Sequence, residues 1–234
     1  MTIDKPFLAV IILCCLSLLL AWVMVYEEKK ENHIVTYLTK TVASICFVIA
    51  AFLATAFSGG SRTLTILMLG GLVFGMLGDI FLCRVHIARE EFWETLLSVG
   101  GVFFLSGHLC YFFAFMSMGG TRHIAVYILV PILMLLVFTL MKTQEWKIPK
   151  KSWLSYMGYG LVSGLMLSGG IEILLETPKP EEMALAAAAF VFVLSDIALA
   201  TWNFGRYHTT WMRYTCITLY YIAQILFVLG IWLN

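Results

Sequence analysis

Long uninterrupted runs of apolar residues dominate the chain, and short polar segments separate them. A helix needs about 20 residues to cross the ~30 Å hydrocarbon core of a bilayer. The runs predict transmembrane helices over residues 6–26, 34–57, 64–84, 94–118, 122–141, 153–175, 183–203 and 211–233. They are continuous rather than alternating, which favours helices over membrane-spanning strands. The pattern therefore predicts an all-α polytopic membrane protein, with residues 1–234 forming one transmembrane domain of eight helices.

Composition narrows the possible functions. The chain is 61% hydrophobic and 12% charged, with a net charge of +1, so it offers no basic surface for nucleic acid. The polar segments are too short for an extramembrane catalytic domain, so any chemistry is expected within the bilayer. The six cysteines lie inside apolar runs without paired metal-ligand spacing, which predicts packing roles, no metal site and no disulfides.

Loop charges predict the orientation in the membrane. The loops after helices 1, 3, 5 and 7 carry ten Lys and Arg residues, among them Lys147, Lys150, Lys151 and Arg206, whereas the other side carries four. Basic loops face the cytoplasm, so both termini are expected outside it. The short loops and the absence of appended domains point to a bacterial inner membrane.

One short sequence pattern occurs twice, with Ser195 in the second copy at the position of Gly78 in the first. The segment 77–80, with Leu82 beyond it, recurs as the segment 194–197 with Leu199, and the central aspartates, Asp79 and Asp196, are 117 positions apart. The copies lie in helices 3 and 7, which are four helices apart in the order of the chain, so both point the same way through the membrane. This pattern suggests a parallel four-plus-four repeat with two aspartates at similar depth.

Small residues predict where helices pack closely, because burial of apolar surface does not drive helices together in lipid. They cluster in helices 3 and 6, which are therefore expected to be central: Gly70, Gly71, Gly75, Gly78, Gly160, Gly164 and Ser168.

Polar side chains within the apolar runs are the candidates for function. A charge at the bilayer centre costs about 2.5 to 3.5 kcal/mol on insertion scales, so such residues usually have a role. Asp79 and Asp196 should lie roughly 7 to 11 Å from the cytoplasmic end of their helices. Lys40 enters from the same side, so the three could share a pocket. Glu172 lies near the outer end of helix 6, where its side chain could reach the interface, and is left out of the site.

Two carboxyl groups held together in a low-dielectric site cannot both ionise cheaply, so one is expected to hold a proton while a nearby cation keeps the other ionised. That arrangement supplies an acid and a base. Two other interpretations stay open: the aspartates pair with Lys40 or hydroxyl groups to hold helices together, or they relay ions in a transporter. Deeper in the membrane, the side chains of His108, Tyr220 and Gln224 could line the same cavity.

Motifs of other enzyme classes are absent from the sequence. It has no Gly-x-Ser-x-Gly elbow, no phosphate-binding Gly-x-x-x-x-Gly-Lys-Ser/Thr loop and no His-Glu-x-x-His. Serine hydrolases, nucleotide-driven pumps and zinc proteases therefore lose support.

Several short motifs, in order along helices 2 to 7, resemble the lysoplasmalogenase or YhhN-like family of integral membrane proteins. They are Tyr37-Leu38-Thr39-Lys40, Leu77-Gly78-Asp79-Ile80-Phe81-Leu82, Phe104 with His108 and Tyr111, Leu194-Ser195-Asp196, and Asn203-Phe204. Thr41 stands where the family usually has proline. The resemblance implies hydrolysis of the vinyl ether bond of a lysoplasmalogen, a lysophospholipid, to a fatty aldehyde and glycerophosphoethanolamine or glycerophosphocholine, without metal or organic cofactor.

This chemistry suits a pair of carboxyl groups. Enol ether hydrolysis needs an acid to protonate carbon and a base to activate water, as in glycosidases. We expect Asp79 and Asp196 to be catalytic, with either one as the acid. The substrate site is expected to include Lys40, His108, Tyr111, Asn203, Tyr220 and Gln224. The competing hypothesis is a small proton- or ion-coupled transporter that uses the same aspartates, although matching helices broken by Gly or Pro are not evident.

Overall fold

The computed structural model describes residues 5–85, 87–119, 122–143, 153–175, 178–204 and 209–234. Four of the ten basic loop residues that predict the orientation lie outside these ranges: Lys147, Lys150, Lys151 and Arg206.

The described residues form eight α-helices and one 3-10 turn. The helices are α1 (Lys5–Lys29), α2 (His33–Phe57), α3 (Arg62–Arg84), α4 (Trp93–Gly119), α5 (Ile124–Thr143), α6 (Trp153–Leu174), α7 (Pro180–Phe204) and α8 (Thr210–Leu233). Every boundary lies within three residues of its predicted position. Seven helices are long and apolar enough to cross a membrane, and the apolar part of α5 is shorter, Ile124–Leu140. The predicted all-α polytopic bundle is confirmed.

Local signals explain where several helices begin. Ser61 precedes α3, and its hydroxyl accepts a hydrogen bond from the backbone N–H of Leu64. Thr209 precedes α8 and accepts one from Met212 in the same way. Such caps satisfy N–H groups that have no partner inside the helix.

Consecutive helices pack as antiparallel neighbours: α1 on α2, α3 on α4, α5 on α6, and α7 on α8. Helix α8 also contacts α1, α2 and α3, while α4 contacts α6. The rings of Phe7 and Trp232 lie 5.1 Å apart, so α1 begins where α8 ends. We call this end of the bundle the terminal end, and the other the opposite end.

Glycines let α3 and α4 approach closely. A Cβ atom on Gly78 would lie 2.6 Å from the Phe104 ring, and one on Gly100 would lie 2.7 Å from Leu82. Gly71 likewise faces the ring of Tyr111. Large side chains of each helix therefore fit against glycines of the other, and α3 packs against α2, α4 and α8 as its glycine content suggested.

Helix α5 lies at the edge of the bundle. Its residues Ile132, Leu133 and Leu136 are exposed, as expected for a surface that faces lipid. Its packing contact is with α6, where Gly164 lies against the backbone of Pro131. A small residue is required there because the two helices meet backbone to backbone.

We predict that Gly164→Ala destabilises the protein, because the new Cβ would lie 2.8 Å from the Pro131 Cα, which cannot move aside like a side chain. Overpacking typically costs about 1 to 3 kcal/mol. Thermal unfolding of the purified protein in detergent should show a lower Tm. Gly101→Ala is the control, since a Cβ there meets nothing within 4 Å. Equal Tm values for the two variants would contradict the proposed close contact.

Candidate active site

Asp79 lies near the opposite end of α3 and is 1% exposed. Its Oδ1 lies 3.1 Å from the Lys40 ammonium on α2. Its Oδ2 accepts hydrogen bonds from the Ser44 hydroxyl at 2.6 Å and the Tyr220 hydroxyl at 2.8 Å. Charge-assisted hydrogen bonds of this kind are stronger than neutral ones. All three partners donate, so this carboxyl group is arranged as an ionised acceptor.

Tyr221 completes the surroundings of Asp79. Its hydroxyl lies 3.1 Å from the Ser44 oxygen and 3.5 Å from the Lys40 carbonyl. Since Ser44 gives its only hydrogen to Asp79, the Tyr221 hydroxyl is the donor to Ser44. The serine is thereby held with its hydrogen directed at the carboxylate.

Asp196 occupies α7 at a similar depth, is 6% exposed and has three partners of its own. Its Oδ1 accepts from the Tyr159 hydroxyl at 3.0 Å, and its Oδ2 accepts from the Ser163 hydroxyl at 3.2 Å. The Nε2 atom of His108 lies 3.0 Å from the same Oδ2. No lysine or arginine in the described ranges forms an ion pair with this carboxyl group.

The contacts of His108 show that it shares a proton with Asp196. Its Nδ1 lies 2.8 Å from the Phe104 carbonyl oxygen, which can only accept, so Nδ1 carries hydrogen. In a neutral ring Nε2 then has a lone pair, and it faces a carboxylate oxygen. The contact is favourable only with one further proton, held either by Nε2 or by Asp196. The pair is therefore a neutral unit with a proton to donate.

The two aspartates have equivalent surroundings. In each case the preceding helix supplies a donor to Oδ1 and, one turn later, a serine to Oδ2: Lys40 and Ser44 on α2, Tyr159 and Ser163 on α6. A third helix supplies a ring donor to Oδ2, α8 for the first aspartate and α4 for the second. Each helix of the Asp79 centre therefore has a counterpart four helices away in the Asp196 centre: α2 corresponds to α6, α3 to α7 and α8 to α4. This is the geometry expected of a parallel four-plus-four repeat.

Aromatic rings join the two clusters. Phe192 contacts His108 edge-on with ring centroids 4.7 Å apart, and it contacts Tyr220 in the same way at 5.5 Å. Phe104 lies against Tyr220 at 5.8 Å. Lys40, Asp79 and Asp196 therefore do not form a single ion cluster; two polar centres face each other across apolar rings.

Tyr111 and Gln224 lie deeper in the bundle. The Tyr111 hydroxyl donates to Gln224 Oε1 at 3.0 Å. Gln224 Nε2 is fully buried, and no described residue accepts its hydrogens. This amide and the Tyr220 hydroxyl both approach Gly75, within 3.1 and 3.3 Å of where its Cβ would stand. Because Gly75 has no side chain, the Gln224 amide and the Tyr220 hydroxyl can both lie against α3 beside the Asp79 centre.

Asn203 and Glu172 do not have the surroundings that the sequence analysis expected. Asn203 is exposed in the last turn of α7 and has no hydrogen bond to either aspartate in the described residues. The side chain of Phe204 lies outside the described residues. Glu172 does not extend to the interface as expected; it is 6% exposed and accepts hydrogen bonds from the backbone N–H groups of Arg122 and His123. Those two N–H groups are at the start of α5 and have no partner within the helix.

Sequence reasoning missed four residues of these centres: Ser44, Tyr159, Ser163 and Tyr221. The repeat held a usable signal, since Tyr159 and Ser163 have the same four-residue spacing as Lys40 and Ser44 and lie on the equivalent helix. Lys40 drew attention by its charge, whereas hydroxyl groups in apolar helices commonly bond to their own backbone.

The comparisons with known proteins agree with these observations. The sequence matches the YhhN family over residues 35–231, which include both aspartates and all of their partners. Neither a curated protein nor a solved structure matches the chain. Because the match covers most of the sequence and includes both carboxyl centres, the chain belongs to the YhhN family, the family of lysoplasmalogenases.

Proposed function

We propose that this protein is a membrane-embedded hydrolase that cleaves the vinyl ether bond of a lysoplasmalogen to a fatty aldehyde and glycerophosphoethanolamine or glycerophosphocholine. The YhhN family suggests activity of this type. The observation that carries the proposal is the difference between two equivalent carboxyl groups: Asp79 pairs with a lysine, and Asp196 pairs with a histidine. An enol ether hydrolase needs such an unequal pair.

The His108–Asp196 pair acts as the general acid in this proposal. It holds the one proton that its hydrogen bonds require, and Tyr159 and Ser163 fix the carboxyl group in place. That proton is transferred to the β-carbon of the vinyl ether, the carbon of the double bond that is not bonded to oxygen. The π electrons form the new C–H bond, and the positive charge passes to the carbon attached to oxygen, giving an oxocarbenium ion.

Asp79 acts as the base and stabilises the cation. Its ionised carboxylate is suited to a developing positive charge, as the second carboxylate is in glycosidases. Water attacks the cationic carbon and releases a proton to Asp79. The resulting hemiacetal collapses when its hydroxyl proton passes to the glycerol oxygen, and the C–O bond breaks to give aldehyde and alcohol. Asp79 then releases its proton to water, and the His108–Asp196 pair takes up a proton from water, which restores the starting state.

The position of these groups suits an amphiphilic substrate. Both aspartates lie towards the opposite end of the bundle, which the loop charges predict to be the cytoplasmic side. The alkenyl chain would extend inwards along aromatic side chains, with Tyr111, Gln224 and Tyr220 as polar contacts. Asn203, exposed at the same end, would contact the headgroup.

We predict that Asp79→Asn and Asp196→Asn each reduce aldehyde release from a 1-alkenyl lysophospholipid by at least about 100-fold, the usual effect of removing an acid or base. Purified proteins in detergent would be assayed for aldehyde and checked for an unchanged elution volume and thermal unfolding. Ser106→Ala is the control, because this hydroxyl on α4 bonds only to its own helix. Full activity of both well-folded Asn variants would refute the mechanism. Absence of aldehyde from well-folded wild type, with either headgroup, would instead favour transport.

Lys40 offers a separate test of the roles. Lys40→Met removes the ammonium that lies 3.1 Å from Asp79 Oδ1 and leaves the buried carboxyl group without its charged partner. We predict that kcat for aldehyde release falls by roughly tenfold or more, the factor that corresponds to one lost charge-assisted hydrogen bond. Lys40→Arg, which keeps the charge, should restore most of kcat. A raised KM with an unchanged kcat would mean that Lys40 binds the substrate phosphate instead.

A further inference from the structure

A third polar centre lies at the terminal end of the bundle, away from both aspartates. Glu172, in the last turn of α6, is 6% exposed although it carries a carboxyl group. Its Oε1 accepts hydrogen bonds from the backbone N–H groups of Arg122 at 2.9 Å and His123 at 3.0 Å. The Nδ1 atom of His123 lies 3.2 Å from the same oxygen. One carboxyl oxygen therefore has a structural role at the start of α5.

The other carboxyl oxygen of Glu172, Oε2, has no such structural role in the described residues. Oε2 of Glu172 is buried and makes no hydrogen bond in the described part of the chain. A buried polar atom without a partner is destabilising, and more so when it is charged. Helix capping needs only Oε1, so the capping role does not explain why the second oxygen is kept in this position.

A cavity of about 210 Å³ is lined in part by Glu172. Its walls carry two anionic and two cationic side chains beside apolar ones: Glu172, Glu182, Arg122, Lys179, Met118 and Ile173. The Lys179 ammonium is 70% exposed and is held only loosely, 3.9 Å from Glu181. The cavity thus presents opposite charges and an apolar edge where α4 and α6 end and α7 begins.

The mixture of acidic and basic side chains around the cavity restricts the kind of ligand that can bind there. A simple anion would be repelled by Glu172, and a simple cation would be repelled by Arg122 and Lys179. A zwitterion satisfies both signs. Oε2 can only accept hydrogen bonds, so it favours a primary ammonium, which donates, over a quaternary ammonium, which does not. Arginine and lysine are the usual partners of phosphate.

We propose that this cavity binds a zwitterion of primary ammonium and phosphate, with the ammonium on Glu172 Oε2 and the phosphate at Lys179 and Arg122. A phospholipid with an ethanolamine headgroup supplies this chemistry from the leaflet at the terminal end, where its chains can lie along Met118 and Ile173. A soluble phosphoethanolamine ester carries the same groups. The site is separate from the aspartate centres and does not depend on the proposed hydrolysis.

Native mass spectrometry of the delipidated full-length protein in detergent tests the proposal. The probes are dioleoyl phosphatidylethanolamine, the choline and glycerol analogues of the same lipid, and soluble glycerophosphoethanolamine. Wild type should retain the ethanolamine lipid about tenfold more strongly than either analogue, the lower end expected for one charge-assisted hydrogen bond. Retention of the soluble ester as strongly as the lipid would support the same site with a soluble ligand. No preference for either ethanolamine compound would overturn the proposal.

Glu172→Gln is the decisive variant. Its amide oxygen can still accept the N–H groups of Arg122 and His123, so the start of α5 stays capped while the charge is lost. The preference for ethanolamine should disappear. Glu91→Gln, the same change in the connection before α4 at the opposite end, should keep it. An unchanged preference in a Glu172→Gln protein of normal Tm would refute the assignment.

Two further variants distinguish lipid binding at this cavity from lipid binding at the aspartate centres. Lys179→Gln should weaken retention of the ethanolamine and glycerol lipids alike, because both present a phosphate. Asp79→Asn should leave the ethanolamine preference intact, whatever it does to aldehyde release. Loss of the preference in Asp79→Asn alone would place the bound lipid at the aspartate centre and overturn the proposal.

Discussion

Burial of two carboxyl groups in an apolar helical bundle is the constraint on which the rest of the structure depends. Each carboxyl oxygen must find donors, since an unpaired charge in this environment is costly. Asp79 and Asp196 solve the problem with the same geometry, three donors from two neighbouring helices. The helices that carry these donors must therefore keep a fixed register. The close approach of α3 and α4 at their glycines holds part of that register.

Equivalent geometry with different chemistry links this fold to its proposed function. A perfectly symmetric repeat would give two identical carboxyl groups. Here a lysine on α2 and a tyrosine on α8 serve the first carboxyl group, and a tyrosine on α6 and a histidine on α4 serve the second at the corresponding places. The first carboxylate is kept ionised, and the second shares a transferable proton. In the proposed mechanism the first centre is the base and the second is the acid, in a protein whose family is that of lysoplasmalogenases.

The sequence predicts the fold well because lipid imposes a simple rule. Backbone groups in a membrane must be satisfied within a helix, so each apolar run directly marks one element. The site was harder to predict. Asp79, Asp196 and Lys40 stand out as charges among apolar residues, but Tyr159 and Ser163 resemble ordinary helix residues until a facing carboxylate gives them a role. Glu172 was misjudged because its depth along α6 does not reveal that the start of α5 covers it.

The central claim is that the protein itself transfers a proton to carbon. Hydrolysis of a 1-alkenyl lysophospholipid in D₂O, followed by immediate trapping of the aldehyde and mass spectrometry, tests this directly. The proton of the His108–Asp196 pair exchanges with solvent, so the account predicts one deuterium on the carbon next to the aldehyde group. Aldehyde without deuterium at that carbon would contradict protonation of the vinyl ether and, with it, the roles given to both aspartates.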